Sequence, residues 1–165
     1  MENTNKFDES ELQGRNKFNT FCNRQPWCKV EKFNDDKYGS WDVAYYSGDT
    51  KILGEIKDRN YSSEDFGGWY MEVDKLTRLQ NISSKRSDLN VTYINTYINE
   101  DIIIWDVTDI KPTNTFLKEL DRTTVEDNGT RIKEVFTLYK CDSIVWSHIN
   151  EETMLERLKR LMDSL

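Results

Sequence analysis

The chain has 165 residues, 36% hydrophobic, 12% aromatic and 32% charged, and a formal net charge of −7. That size and composition fit one folded domain over residues 1–165 rather than a disordered chain. They exclude an all-over basic coat for nucleic acid, because phosphate binding runs on Lys and Arg, and no run of 18 apolar residues offers a membrane span.

The N-terminus MENTNKFDESELQ has neither the basic nor the apolar segment of a signal peptide, so a cytoplasmic location is expected. Cys22, Cys28 and Cys141 are odd in number and form no CxxC pair, which reads as buried or spectator thiols rather than a disulfide framework or a zinc site. Charge is unevenly spread. Residues 51–86 hold seven basic and six acidic side chains, whereas residues 87–165 hold nine and fifteen. Any basic surface is therefore expected near the first of these segments.

In chain order, Asp8 and Glu11 have the spacing of a capping box, with Phe7 and Leu12 at the staple positions, and predict a helix from Asp8 to about Arg24. Phe7, Gly14, Phe18 and Cys22 share one side of it, and Glu11 falls among them. A carboxylate on an inward face is a cap or a functional group, because an unpaired buried charge is costly. Pro26, Asn34-Asp35-Asp36 and Gly39 mark residues 25–40 as loop.

Trp41–Tyr46 and Lys51–Lys57 read as strands joined by Ser47-Gly48-Asp49-Thr50, a β-hairpin. Side chains alternate along a strand, so Leu53, Glu55 and Lys57 share one face and Ile52, Gly54 and Ile56 the other. A polar loop from Asp58 to Gly68 leads to a helix over about Tyr70–Ser84, striped by Trp69, Val73, Leu76 and Leu79, with Lys75 at its edge. VTYINTYI and DIIIWDV read as two further strands, the second apolar enough to be central. Residues 108–133 look irregular, with one helical turn near Phe116–Leu120. Strands at Glu134–Tyr139 and Ser143–Trp146 and a helix over Asn150–Met162 complete the chain. The order predicts an α/β or α+β architecture, a central mixed β-sheet flanked by helices.

The hairpin carries the chemistry. Hydrolysing a phosphodiester with a metal requires hard oxygen ligands for the ion and a group that orients the attacking water. Asp42 and Glu55 on paired strands can converge on one ion, and Lys57 beside Glu55 can position the water or offset developing charge. The tripeptide [D/E]-x-K occurs four times, ending at Lys37, Lys51, Lys57 and Lys111. Only the copy at Glu55 lies in an apolar strand, follows a strand bearing an acid and precedes an amphipathic helix.

In that context residues 8 to about 107 resemble the PD-(D/E)xK, restriction-endonuclease-like nuclease superfamily, whose core runs helix, hairpin with Asp and Glu-x-Lys, helix, strand. The resemblance implies Asp42 and Glu55 as ligands of Mg²⁺ or Mn²⁺, with the Ile56 carbonyl completing the coordination and Lys57 as the catalytic lysine. Glu11 matches the glutamate that many members add from the first helix, and Lys75 the auxiliary residue that some place near the scissile phosphate. Ser40-Trp41 stands before Asp42, so the signature proline is missing.

The function this implies is a Mg²⁺-dependent endo- or exodeoxyribonuclease, a phage or bacterial enzyme of DNA processing, repair or junction resolution, with nucleic acid, DNA first, as partner and a homodimer as one arrangement. The alternative is a catalytically inactive nuclease-fold protein, a protein- or nucleic-acid-binding module whose acidic C-terminal half meets a partner. His148, the sole histidine, has no second histidine to support a zinc site. Tyr45, Tyr46, Tyr61, Trp69 and Tyr70 flank the motif and are expected mainly in the core, and the Asp58–Gly68 loop is the candidate substrate-facing loop.

Overall fold

The computed structural model describes residues 4–121, 130–148, 159 and 161–164. Helix α1 (Thr4–Arg24) is followed by strands β1 (Cys28–Phe33), β2 (Val43–Ser47), β3 (Thr50–Asp58) and β4 (Gly68–Glu72) and by helix α2 (Val73–Ser83). Strands β5 (Leu89–Thr96), β6 (Asp101–Asp106), β7 (Phe116–Asp121), β8 (Thr130–Tyr139) and β9 (Val145–His148) follow. No helix among the described residues is long and apolar enough to cross a membrane.

The main sheet has six strands in the order β1-β2-β3-β5-β6-β9, and a second sheet has three, β4-β8-β7. Its pairs are antiparallel except β3 with β5, so the sheet is mixed, as expected. β2 and β3 form the expected hairpin, with Ser47 opposite Thr50. Gly48 stands in its turn at φ +58°, a conformation that costs glycine nothing and most other residues strain.

β3 divides two apolar layers by simple alternation. Ile52 and Ile56 join Phe18, Phe21, Val43 and Ile94 on the α1 side. Leu53 joins Leu76, Leu79, Trp69 and Trp105 on the side of α2 and the small sheet. Each such side chain fully buried contributes about 1.5–3 kcal/mol. Gly14 lets α1 lie close to β3, because a Cβ there would stand 3.0 Å from Ile56 Cγ2 and 3.3 Å from Asp58 Cβ.

Several expectations are corrected. α1 begins at Thr4, a turn before Asp8, so Asp8 and Glu11 sit within the helix and form no capping box, and Leu12 is exposed. Residues 28–33, expected as loop, form strand β1 because Cys28 and Val30 turn inward while Lys29 and Glu31 turn out. Trp69 is buried as expected, but from strand β4 rather than a helix. Trp69 and Met71 point into the core and Tyr70 outward, a period of two that the aromatic run disguised as the start of α2.

Phe116–Leu120 is extended, not helical, and lies in β7 against a β8 that begins at Thr130. Cys22 and Cys28, read as thiols outside any disulfide, are paired in one that ties the end of α1 to the start of β1, with Cα atoms 4.8 Å apart. Cys141 is free and exposed. The expected turn at Asp127-Asn128-Gly129 lies outside the described residues, as does most of the expected helix over Asn150–Met162.

Candidate active site

The β3 register sets the geometry. Glu55 and Lys57 leave the strand on the α2 side, next to each other on one face, as the alternation requires. Glu55 is 5% exposed. Its Oε1 accepts from Lys57 Nζ at 2.9 Å and also from Lys75 Nζ, which reaches over from the first turn of α2. Asp42 stands just before the β2 ladder. Its N–H donates to the Gly54 carbonyl at 2.8 Å, and its Oδ2 accepts the Ile56 N–H at 2.7 Å. The tight hairpin thus fixes Asp42 beside the strand that carries Glu55.

Asp42, Glu55, Ile56, Lys57, Lys75 and Glu11 all line one cavity of about 270 Å³. The structure therefore brings together all six residues named from the sequence. Glu11 differs from the other acids: its Oε1 accepts from Arg15 at 2.5 Å, an i,i+4 pair along α1. Arg15 also donates to the Asn34 carbonyl at 2.9 Å, which ties α1 to the segment between β1 and β2. His148 ends β9 opposite Asp101 and is absent from the lining.

The charges are strongly biased. Burial, and then repulsion from Glu55, push the Asp42 carboxyl up to about 6. Burial also acts to raise Glu55, but the ammonium groups of Lys57 and Lys75 outweigh it and hold Glu55 at about 2. Burial acts to lower Lys57, yet the Glu55 carboxylate wins and raises it. Lys75 goes the other way, lowered by burial and by its neighbour Lys57. Lys57 is thus a permanent hydrogen-bond donor, and Asp42 is the site's poorly compensated acid.

Those observations test the fit of a divalent cation. Among the described residues no three His, Cys, Asp or Glu side chains gather into a cage. Of the four carboxylates that line the cavity, Glu11 and Asp58 are held by Arg15 and Lys17, and the remaining two, Asp42 and Glu55, match the sparse protein ligation of Mg²⁺, which usually keeps several waters and uses one or two carboxylates with substrate phosphate. The donor set fits a hard cation of that kind.

Sequence reasoning missed the residues that brace this arrangement. Asp58, the last residue of β3, accepts from Lys17 Nζ at 2.8 Å and from Thr96 Oγ1 at 2.8 Å. Lys17 also donates to the Tyr97 carbonyl at 3.1 Å. The alternation continued one step past Lys57 puts Asp58 on the α1 side, and Lys17 lies three residues beyond Gly14 on that helix, so the pair was within reach of the pattern. A second cavity of about 520 Å³ adjoins the first and shares Lys57 and Lys75 with it.

No family model and no curated protein matches the chain. Among solved structures, the fold is similar to that of Hjc, a Holliday junction resolvase from the archaeal hyperthermophile Archaeoglobus fulgidus. The two share 9% sequence identity over 84% of this chain and 95% of that one, with a TM-score of 0.53. The likeness is one of fold, and it matches the mixed sheet with flanking helices described above.

Proposed function

We propose that this protein is a metal-dependent nuclease that hydrolyses phosphodiester bonds in DNA. The observation that carries the reading is the single cavity in which Asp42, Glu55 and the Ile56 backbone meet two lysines, Lys57 and Lys75, at the end of one hairpin. The fold shared with a Holliday junction resolvase supports it, and branched DNA is the first substrate to try.

Asp42, Glu55 and the Ile56 carbonyl would hold Mg²⁺ or Mn²⁺. Bound there, the cation would polarise the phosphoryl oxygens and lower the pKa of a coordinated water. Lys57 Nζ, kept protonated by Glu55, donates to the attacking water or to a non-bridging phosphate oxygen and so orients the one or offsets charge on the other. Lys75 Nζ, the lysine with the lowered proton affinity, holds Glu55 in place through its shared Oε1 and is the group best able to release a proton to the leaving oxygen. Glu11 is paired with Arg15 and stands as an outer carboxylate, able to help retain a water when Arg15 turns to phosphate.

The test is incubation of the full chain with plasmid, linear, single-stranded and four-way branched DNA and with RNA, in Mg²⁺, Mn²⁺ or EDTA, beside Glu55→Ala and Lys57→Ala. Cleavage that requires the cation and disappears in both variants is the expected result. Equal inertness of all three proteins on every substrate, with no divalent-cation binding to the wild type, would reassign the fold to a binding role.

A further inference from the structure

The second cavity carries a feature that phosphodiester hydrolysis does not use. It opens beside Lys57 and Lys75 and is walled by aromatic side chains from two separate elements. On one wall, in the segment after β3, Tyr61 and Phe66 meet edge to face at 4.9 Å between ring centroids. On the other, Tyr70 of β4 packs edge to face on Phe116 of β7 at 5.4 Å, with Lys118 Nζ 4.5 Å from its ring. Phe66 and Tyr70 are 56% and 42% exposed, so two ring surfaces that normally pack inward face a cavity lined also by Arg59 and Lys118.

The Arg59 and Trp69 side chains back the wall: among the described residues, their Nε and Nε1 atoms are buried without a partner beneath the surface of the cavity. Arg59 is held by its other nitrogen, which donates to Tyr93 Oη at 3.0 Å. The one carboxylate in the lining, Glu72, has Lys133 at 3.7 Å. The wall is also preformed: Ser63 donates to the buried Asp101, and its Oγ accepts from Asn99 at 3.1 Å, which pins the segment after β3 to the start of β6.

Exposed aromatic faces beside cations are what an unpaired nucleobase and its phosphate would satisfy, since every base offers a stacking face. A base within a duplex has its faces covered by its neighbours. The volume, about 520 Å³, lies within the roughly 300–1,000 Å³ of small-ligand sites. We infer that this cavity binds an unpaired nucleobase of the substrate strand next to the scissile phosphate, so that the preferred substrate carries a non-helical nucleotide at the cut. This rests on the nuclease reading for its substrate class.

The experiment measures binding of the full chain, in Ca²⁺, to three labelled oligonucleotides: a fully paired duplex, the same duplex with a short unpaired segment, and that segment made abasic. The unpaired base should tighten binding roughly tenfold per stacked base, and the abasic form should lose the gain. A 2-aminopurine in the segment should be quenched on binding. Phe66→Ala and Tyr70→Ala should bring the preference towards one and Tyr70→Phe should keep it; both positions are exposed enough for the fold to survive, which thermal melts check.

Equal affinity for all three oligonucleotides, or abasic binding as tight as base-bearing, overturns the inference. So does a concentration-dependent rise in mass that Tyr70→Ala abolishes, which would give the face to a second copy of the chain. If the wild type cuts DNA in Mg²⁺ without any base preference, the cavity assignment fails and the nuclease reading stands. Base-dependent binding with no cleavage under any metal leaves the cavity assignment and removes the nuclease.

Discussion

Replacing Asp42 by Asn should stabilise the metal-free protein while removing its response to metal. The Asp42 carboxyl is raised from 3.8 to about 6, first by burial and then by Glu55, so the folded state holds that proton more tightly than the unfolded state. The resulting penalty is absent below pH 3.8, grows as pH rises, and is complete above about 6, where it amounts to roughly 3 kcal/mol. Asn is neutral and nearly isosteric, and its Oδ1 can still accept the Ile56 N–H. In EDTA at pH 8, Asp42→Asn should therefore raise Tm by roughly 5–10 °C for a chain of this size. The gap should shrink at pH 4.5. Added Mg²⁺ should raise the wild-type Tm and leave the variant unmoved, as expected when a ligand binds only the folded wild type. Thermal melts followed by circular dichroism supply all of these numbers. A variant that melts at or below the wild type in EDTA at pH 8 would refute the reasoning, because Asp42 would then not be a strained, cation-seeking acid.

Lys57→Met should lower cleavage roughly 10²–10⁴-fold with little loss of metal binding, since Lys75 still holds Glu55; gel assays beside calorimetric titration of the metal separate the two. Glu55→Gln should destabilise the fold by roughly 1–3 kcal/mol at pH 7, because Lys57 and Lys75 lose a buried partner and remain partly solvated. Since Glu55 is lowered to about 2, that contribution is present above its ordinary 4.5 and lost as pH falls towards 2, so urea midpoints of wild type and variant should converge in acid. Gly14→Val would set its Cβ 3.0 Å from Ile56 Cγ2 and 3.3 Å from Asp58 Cβ. It should cost roughly 1–3 kcal/mol and lower cleavage as well, read from the same urea midpoints and a plasmid assay. DNA affinity should be far weaker in EDTA than in Ca²⁺, as fluorescence anisotropy would register.

The hairpin was legible because its information is local. A period of two, a two-residue turn with glycine and an apolar strand holding Glu55 and Lys57 on one face leave little freedom, and the observed register is the one these features require. α2 was legible through Leu76 and Leu79. The aromatic stretch before it was not, because Trp69, Tyr70 and Met71 suit either period, and what decides between them is a partner strand, β8, more than sixty residues away. β7 failed for the same reason: its pairing with β8 appears in no local window. β1 carried a period-two signal that three charged residues obscured. In the site itself, residue types and spacing named Asp42, Glu55 and Lys57 and the family resemblance added Lys75, whereas the Lys17–Asp58 pair, each of whose faces the pattern allowed, closes only because α1 lies across β3 at the close range that Gly14 permits.

Under the proposed function the charge of the whole chain and the chemistry of its site are opposed, since a protein of net charge −7 would have to approach a polyanion. The cavity resolves this locally. In total charge Asp42, Glu55, Asp58 and Glu11 are offset by Lys57, Lys75, Lys17 and Arg15, although both inner lysines pair with Glu55 and leave Asp42 without an ion pair of its own, so the metal-free site is close to neutral and has no strong pull on phosphate. A divalent cation held by the two inner acids would turn that neutral patch into one of about +2, next to the cationic and aromatic walls of the second cavity. Attraction for DNA would then be confined to the site and conditional on the metal, while the acidic remainder of the surface discourages binding elsewhere, since affinity follows the number of phosphates neutralised. The raised Asp42 carboxyl belongs to the same logic: an acid that the apo fold leaves undercompensated is one that a cation can satisfy.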